Sequence, residues 1–237
     1  VRTEPVMVPR WIRGRESLDV VRPFPRPLVM LGLGGSVGTP PDGLEADALV
    51  VDSFQDLEAR SAEVRGRIVV YNVPYTTYGE TVQYRAGGAS RAAQLGAVAA
   101  LVRSVGPTGL RTAHTGALRY ADGQPRIPAA AIPAEDAESL ARLQALGERV
   151  TLRLRMEART EADVESANLL AELVGRERPE EIVVVGGHFD SWDVGTGASD
   201  DGVGCIVAWE AVRLMKTLGL RPRRTVRANG RASGVCR

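Results

Sequence analysis

Cysteine is nearly absent from this 237-residue chain, which has Cys205 and Cys236 and no others. That excludes a disulfide framework and a cysteine-rich zinc module. Histidine is as scarce, limited to His114 and His188. Any metal shell drawing on imidazole has these two to choose from. Neither sign of charge is in excess: 30 Lys and Arg face 29 Asp and Glu, for a net charge of +1. There is no electrostatic case for a nucleic-acid partner or an anionic membrane surface. No apolar run approaches the length of a membrane span. The opening Val1-Arg2-Thr3-Glu4-Pro5 lacks a starting Met and lacks a charged region followed by an apolar core. It reads as a fragment or processed form with no signal peptide. No Asp or Glu follows Glu210.

What is present is ordinary for a globular protein, with 44% hydrophobic and 25% charged residues. The length suits one large domain or two modest ones. Residues 4–11 alternate between prolines and read as an exposed or edge strand. Strands follow at 28–31, 48–51, 67–71, 97–102, 127–133 and 150–156. Ser53 resembles an N-cap for a helix over 54–64. Further helices are predicted over 80–95, with an Ala/Gly-rich face closed by Gly96, and over 135–146. Up to residue 157 this is a compact, mainly β unit with two or three helices. The next stretch is different. Residues 166–173 alternate like a strand, and 176–181 form a polar, solvated turn. Residues 182–186 form a fully apolar strand, as expected at the centre of a sheet covered on both faces. A helix over 202–218 is closed by Gly219, and a strand starts at 223. From Ala228 the pattern stops.

The apolar strand delivers His188-Phe189-Asp190-Ser191-Trp192-Asp193. In α/β sheets, ligands gather at the carboxyl ends of strands. His188 and Asp190 are two apart, so they point the same way if the strand continues. Asp200-Asp201-Gly202 lie at the start of the next helix, beyond Gly195-Thr196-Gly197. Taken alone, that pair is an N-cap and a first-turn acid, favoured by the helix dipole. Combined with His188, it becomes a mixed nitrogen and oxygen donor set suited to zinc. An Asp near a ligating His can orient its ring. Glycines let the loop carry Asp200 back over the strand end.

Gly187-His188-Phe189-Asp190-Ser191-Trp192-Asp193-Val194-Gly195, then Gly197-Ala198-Ser199-Asp200-Asp201-Gly202, resembles the H-x-D…D-D-G signature of the di-zinc exopeptidases. That clan includes bacterial aminopeptidases and glutamate carboxypeptidases. The likeness extends through Trp209-Glu210-Ala211, Gly66-Arg67-Ile68-Val69-Val70-Tyr71-Asn72, Val82-Gln83-Tyr84-Arg85 and His114-Thr115-Gly116, from about Glu4 to Arg227. The resemblance implies an α/β fold: a partial mixed-sheet zinc exopeptidase domain with an inserted β-rich protease-associated domain. Residues 1–14 would be the N-terminal strand of the catalytic domain, and 15–158 the inserted domain. Residues 159–227 would be the first part of the peptidase domain, and 228–237 an unpatterned tail. By motif match, His188 binds one zinc, Asp200 bridges two, and Asp190 acts catalytically by orienting His188, while Asp201 is structural. The resemblance also implies dipeptide or short-peptide substrates, a homodimer, and a secreted or lysosomal location. The clan's Glu-Glu pair and its later metal-ligating Asp and His have no counterpart after Glu210. The chain therefore reads as lacking part of the active site. Its alternative is a catalytically inactive fragment, acting at most as a binding module through the protease-associated domain.

Other signals are weaker. The spacing from Gly32 to Gly38 is G-x-G-G-x-x-G, which fits neither the dinucleotide fingerprint nor the P-loop and reads as a turn. His114 reads as a satisfied loop histidine. Ser191 lacks a G-x-S-x-G context, so a serine hydrolase is not indicated. Trp192 reads as packing beside the site. Cys236 lies in the tail with no partner for nucleophilic chemistry.

Overall fold

The computed structural model describes residues 1–232 and 234–236. Its early elements are β1 (Arg2–Ile12), β2 (Glu16–Arg22), β3 (Arg26–Leu28), β4 (Leu31–Gly32), β5 (Leu44–Val51), α1 (Phe54–Ala59), α2 (Ser61–Val64) and β6 (Ile68–Tyr71). Next come α3 (Tyr78–Gln94), β7 (Ala99–Arg103), β8 (Ala129–Ile132), α4 (Ala134–Ala145) and β9 (Thr151–Met156). The last are β10 (Arg159–Leu173), β11 (Arg178–His188), α5 (Val203–Thr217), β12 (Arg224–Arg231) and β13 (Val235–Cys236). The chain divides into two units. Unit I is Val1–Trp11 with Glu161–Arg237, and unit II is Ile12–Thr160. Among the described residues, no helix is long and apolar enough to cross a membrane.

Unit II is built on an eight-stranded sheet ordered β3-β2-β9-β5-β6-β7-β8-β4. Strands β5 to β8 run parallel to one another. Every residue of β6, β7 and β8 is buried, as strands covered on both faces require. On one face Leu49, Val51, Val69, Tyr71, Ala100 and Val102 pack with Phe54, Leu57 and the α3 residues Tyr84, Ala89 and Ala92. Phe54 stacks on Tyr84 with ring centroids 4.2 Å apart. Helix α4 contacts β5 and β7 and buries Ala137 and Leu140. The predicted helix over 54–64 is broken at Arg60 into α1 and α2, and Ser53 caps α1 by accepting from the Asp56 N–H at 3.0 Å. The predicted strand at 28–31 is likewise two short strands, β3 and β4. The Gly32–Gly38 segment is a turn, pinned when the Gly34 N–H donates to the Gly116 carbonyl and the Leu118 N–H donates to the Gly34 carbonyl.

Unit I has a five-stranded sheet ordered β11-β12-β10-β1-β13. Strand β10 pairs antiparallel with β12, and β11 pairs parallel with β12. Helix α5 makes the crossover from β11 to β12, packing Ala208 and Val212 on Ala228 beside Val185 and Val226. Three expectations change here. Ile182–Val185 is not central, because β11 is an edge strand among the described residues, and Ile182, Val183 and Val184 are 43%, 43% and 57% exposed. Nothing described pairs with its outer side. The polar turn at 176–181 belongs partly to β11, which begins at Arg178 and has a register shift before Ile182. Strand β12 does not stop at Arg227 but runs to Arg231, because Ala228, Asn229 and Gly230 each pair with both β10 and β11. Cys236 contributes backbone to β13, and its side chain lies outside the described residues.

Candidate metal centre

His188 is the last residue of β11, in register with Arg231 of β12. Beyond it the chain leaves the sheet and returns to α5 through a kinked turn, Ala198–Gly202, in which Asp200 and Asp201 have non-helical backbone angles. Gly197 makes the return possible. It sits at φ 66°, where a larger residue is strained, and its carbonyl accepts from the Gly202 N–H at 2.8 Å. The turn brings Asp200 over the strand end, and the His188 Nε2 lies 3.0 Å from the Asp200 Oδ1.

The other ring nitrogen fixes the tautomer. His188 Nδ1 is 3.0 Å from the backbone carbonyl oxygen of Asp190. A carbonyl only accepts, so Nδ1 carries the proton and donates it. The Asp190 carboxylate is farther away, with Oδ1 3.8 Å from Nδ1. The orienting contact expected from the Asp190 side chain is thus made by its main chain. The reason is that β11 ends at His188, so the two side chains no longer share a strand face. With Nδ1 engaged, Nε2 faces an acceptor-only carboxylate. That contact needs a proton or a cation. Two ligands about 2.0–2.2 Å from one zinc stand roughly 3 Å apart, so the pair suits one ion's donor set. Burial pulls the His188 pKa down, but the Asp190 carbonyl and the Asp190 and Asp200 carboxylates outweigh it, leaving a net rise above the ordinary value. Among the described residues, no group of three or more His, Cys, Asp and Glu side chains is arranged to hold a metal.

Asp201 does different work. Its Oδ2 accepts from the His188 N–H at 3.3 Å, and its Oδ1 from the Gly204 N–H at 3.2 Å. It ties the end of β11 to the first turn of α5 and satisfies a helix N–H that lacks an intrahelical partner. The capping role therefore falls to Asp201, and Asp200 is left 92% exposed. Two glycines make room for this carboxylate. A Cβ on Gly187 or Gly204 would overlap it. Sequence pattern alone does not single out these glycines, although the spacing G-H…D-D-G-x-G carries both. Ser191 donates to the carbonyls of Trp192 and Gly195 at 3.3 and 3.1 Å, so it holds the loop. Trp192 is half-buried. Burial and the Asp201 charge push the Cys205 thiol up, away from a reactive thiolate. In unit II, His114 Nδ1 donates to the Val105 carbonyl at 2.8 Å, and the His114 N–H donates to Ser104 Oγ at 2.9 Å.

Comparison with known proteins finds relatives that share this segment. Residues 168–230, which hold β11, the loop, α5 and most of β12, match peptidase family M28. The match runs past Ala228, where the periodic sequence pattern stops. Carboxypeptidase Q of Homo sapiens is 50% identical over 227 residues, covering 96% of this chain and 48% of that protein. The Rattus norvegicus protein of the same name is 53% identical over the same shares. The chain thus spans about half the length of the curated relatives it matches. A solved peptidase M28 precursor from Shewanella amazonensis shares the fold with a TM-score of 0.90 at 38% identity, covering 98% of this chain and 54% of that one. A zinc aminopeptidase from Bacillus subtilis shares the fold at 22% identity with a TM-score of 0.64. The chain is thus similar to carboxypeptidase Q over the half of that protein it spans, and its residues 168–230 match the model of peptidase family M28.

Proposed function

We propose that this chain supplies part of the metal centre of a zinc-dependent exopeptidase acting on dipeptides or short peptides. One observation carries the reading: the His188 Nε2 meets the Asp200 Oδ1 at 3.0 Å while Nδ1 is held by the Asp190 carbonyl. His188, through Nε2, and Asp200 would hold the zinc, Asp200 being the carboxylate placed to be shared with a second ion. Zinc bound there lowers the pKa of a coordinated water and polarises a carbonyl. The Asp190 carbonyl keeps the Nδ1 proton in place and so keeps the Nε2 lone pair free. The Asp190 carboxylate adds negative charge beside the ring, which raises its basicity. Asp201 fixes the end of β11 against α5. Residues 15–158, within unit II, take the place of a protease-associated domain, and residues 1–14 and 159–227, with the rest of β12, belong to the peptidase domain. The active protein is a secreted or lysosomal homodimer.

The second reading is that this polypeptide alone does not hydrolyse peptides and acts at most as a binding module. It is favoured by one observation: among the described residues, His188 and Asp200 converge without a third ligand. Metal analysis and a dipeptide assay separate the two. Near two zinc equivalents with chelator-sensitive cleavage supports the enzyme and removes the binding module. Zinc near zero, unchanged in His188→Ala, removes the enzyme reading for this polypeptide.

A further inference from the structure

Unit II carries a cavity of about 490 Å³ between α1, the second half of α3 and residues 119–121. Small-ligand sites run from about 300 to 1,000 Å³, so the space is sufficient. Its wall has two kinds of surface. Leu57, Leu95 and Tyr120 make an apolar side. The Tyr120 hydroxyl is already used, donating to the Ile127 carbonyl at 2.6 Å and accepting from the Val37 N–H at 3.1 Å, so its ring is what it offers. Arg91, Arg119 and Ser90 make the other side, and Glu58 is the one acid in the lining.

The polar side has donors that the fold does not consume. The Arg119 backbone N–H donates to the Ala86 carbonyl at 2.8 Å, which anchors the residue, while its exposed guanidinium has no acceptor among the described residues. Arg91 lies over the Phe54 ring, 4.0 Å from the centroid, and its Nη1 is 3.6 Å from the Glu58 Oε1. Stacking on a ring holds a guanidinium by its face and leaves its edge able to donate. An ion pair that long and that exposed neutralises little. Ser90 is 5% exposed. Its oxygen accepts from the Ala121 N–H at 2.9 Å, and its own proton has no acceptor among the described residues. Gly87 completes this wall, and nothing stands within 4 Å of a Cβ built on it. A glycine inside a helix is unfavourable, and this one packs against nothing; its missing side chain leaves the cavity open.

Two guanidinium groups set against one exposed carboxylate, across from an apolar side, match an anion on an apolar body. The planar fork matches a carboxylate in particular. We propose that this cavity binds a carboxylate carried on an apolar body, with the anion at Arg91 and Arg119 and the body on Tyr120 and Leu95. A free organic acid and an acidic side chain of a peptide share that chemistry. The inference stands on unit II alone and does not draw on the metal-centre reading.

The test uses the whole chain with chelator present. The probes are 3-phenylpropanoate, its amide, inorganic phosphate and N-acetyl-phenylalanyl-glutamate amide. Each is titrated while the Arg91 and Arg119 Nε–H resonances, assigned with the two Arg→Lys variants, are followed. The carboxylate probes should shift both resonances saturably, and the neutral amide should not. Tighter binding of the glutamate peptide assigns the ligand to peptides, and tighter binding of the free acid assigns it to small acids. Arg119→Gln, at an exposed position, should weaken binding about tenfold, the loss of one charged hydrogen bond. Gly87→Leu should fill the cavity and abolish the shifts without lowering the melting temperature. Equal shifts by acid and amide, no shift by either carboxylate, or saturation by phosphate alone would each overturn the site. So would an unchanged affinity in Arg119→Gln or in folded Gly87→Leu.

Discussion

The carboxylate of Asp201 occupies the space where a side chain on Gly187 would begin. That oxygen accepts from the backbone N–H of His188, the next residue along. The position of the candidate zinc ligand is therefore tied to the absence of a methyl group one residue before it. Gly187→Ala should push Asp201 out, break its bonds to the His188 and Gly204 N–H groups, and cost about 1–3 kcal/mol as overpacking does. Gly204→Ala, against the same carboxylate, should behave alike. Urea unfolding measures both, and native-like midpoints would show that Asp201 does not lock the site.

Two adjacent glycines in α3 should respond with opposite sign. Nothing lies within 4 Å of a Cβ built on Gly87, so Gly87→Ala should stabilise the helix by about 0.5–1 kcal/mol. A Cβ on Gly88 would fall 2.7 Å from the Tyr71 ring, whose hydroxyl donates to the Gly88 carbonyl at 2.7 Å. Gly88→Ala should destabilise by about 1–3 kcal/mol. Thermal melts of the two variants check the pair; a shift of the same sign in both would contradict the packing described.

The protonation of His188 gives a pH dependence for the metal-free protein. Its folded pKa is raised, so the protonated ring favours the folded state. That contribution is complete below the unfolded value of about 6.5 and is lost as pH rises through the higher folded value. Asp190→Asn removes one of the raising charges and keeps the carbonyl contact. The His188 titration, followed by NMR, should move down toward its ordinary value while the ring keeps its Nδ1–H tautomer. A change of tautomer would show that the carboxylate, not the carbonyl, holds the ring.

The exposed face of unit I should make the chain self-associate. Strand β11 offers an unpaired edge among the described residues, with Val184 57% exposed, and α5 presents Ile206 and Val207 at 69% and 63%. Open edges and apolar patches of this kind are sticky. Sedimentation velocity should show association that grows with concentration, and Val184→Lys should suppress it. A monomer at every concentration would argue that the face is covered.

The elements of the site are largely legible in the residue order. The apolar run ending in Gly186-Gly187-His188, the glycine-spaced loop and the Asp200-Asp201-Gly202 helix start are local patterns, and local patterns survive in a linear reading. The N-cap at Ser53 and the helix stop at Gly96, which sits at φ 88°, are legible for the same reason. The helix break at Arg60 is not, because Arg60 turns inward to donate to the Val50 carbonyl, and that bond depends on where β5 lies.

Residue order alone determined that one imidazole and two adjacent carboxylates stand twelve to thirteen positions apart across a strand, a loop and a helix, and that no acid follows Glu210. Tertiary structure decided the division of labour among them. Asp200 meets the ring, Asp201 ties strand to helix, and Asp190 touches the ring with its carbonyl because β11 ends two residues before it. It also decided that, among the described residues, Ile182–Val185 lies at an edge and Arg85 is buried without a counterion. Those outcomes depend on which strand pairs with which and on what packs over a helix, and both are contacts between residues distant in the chain.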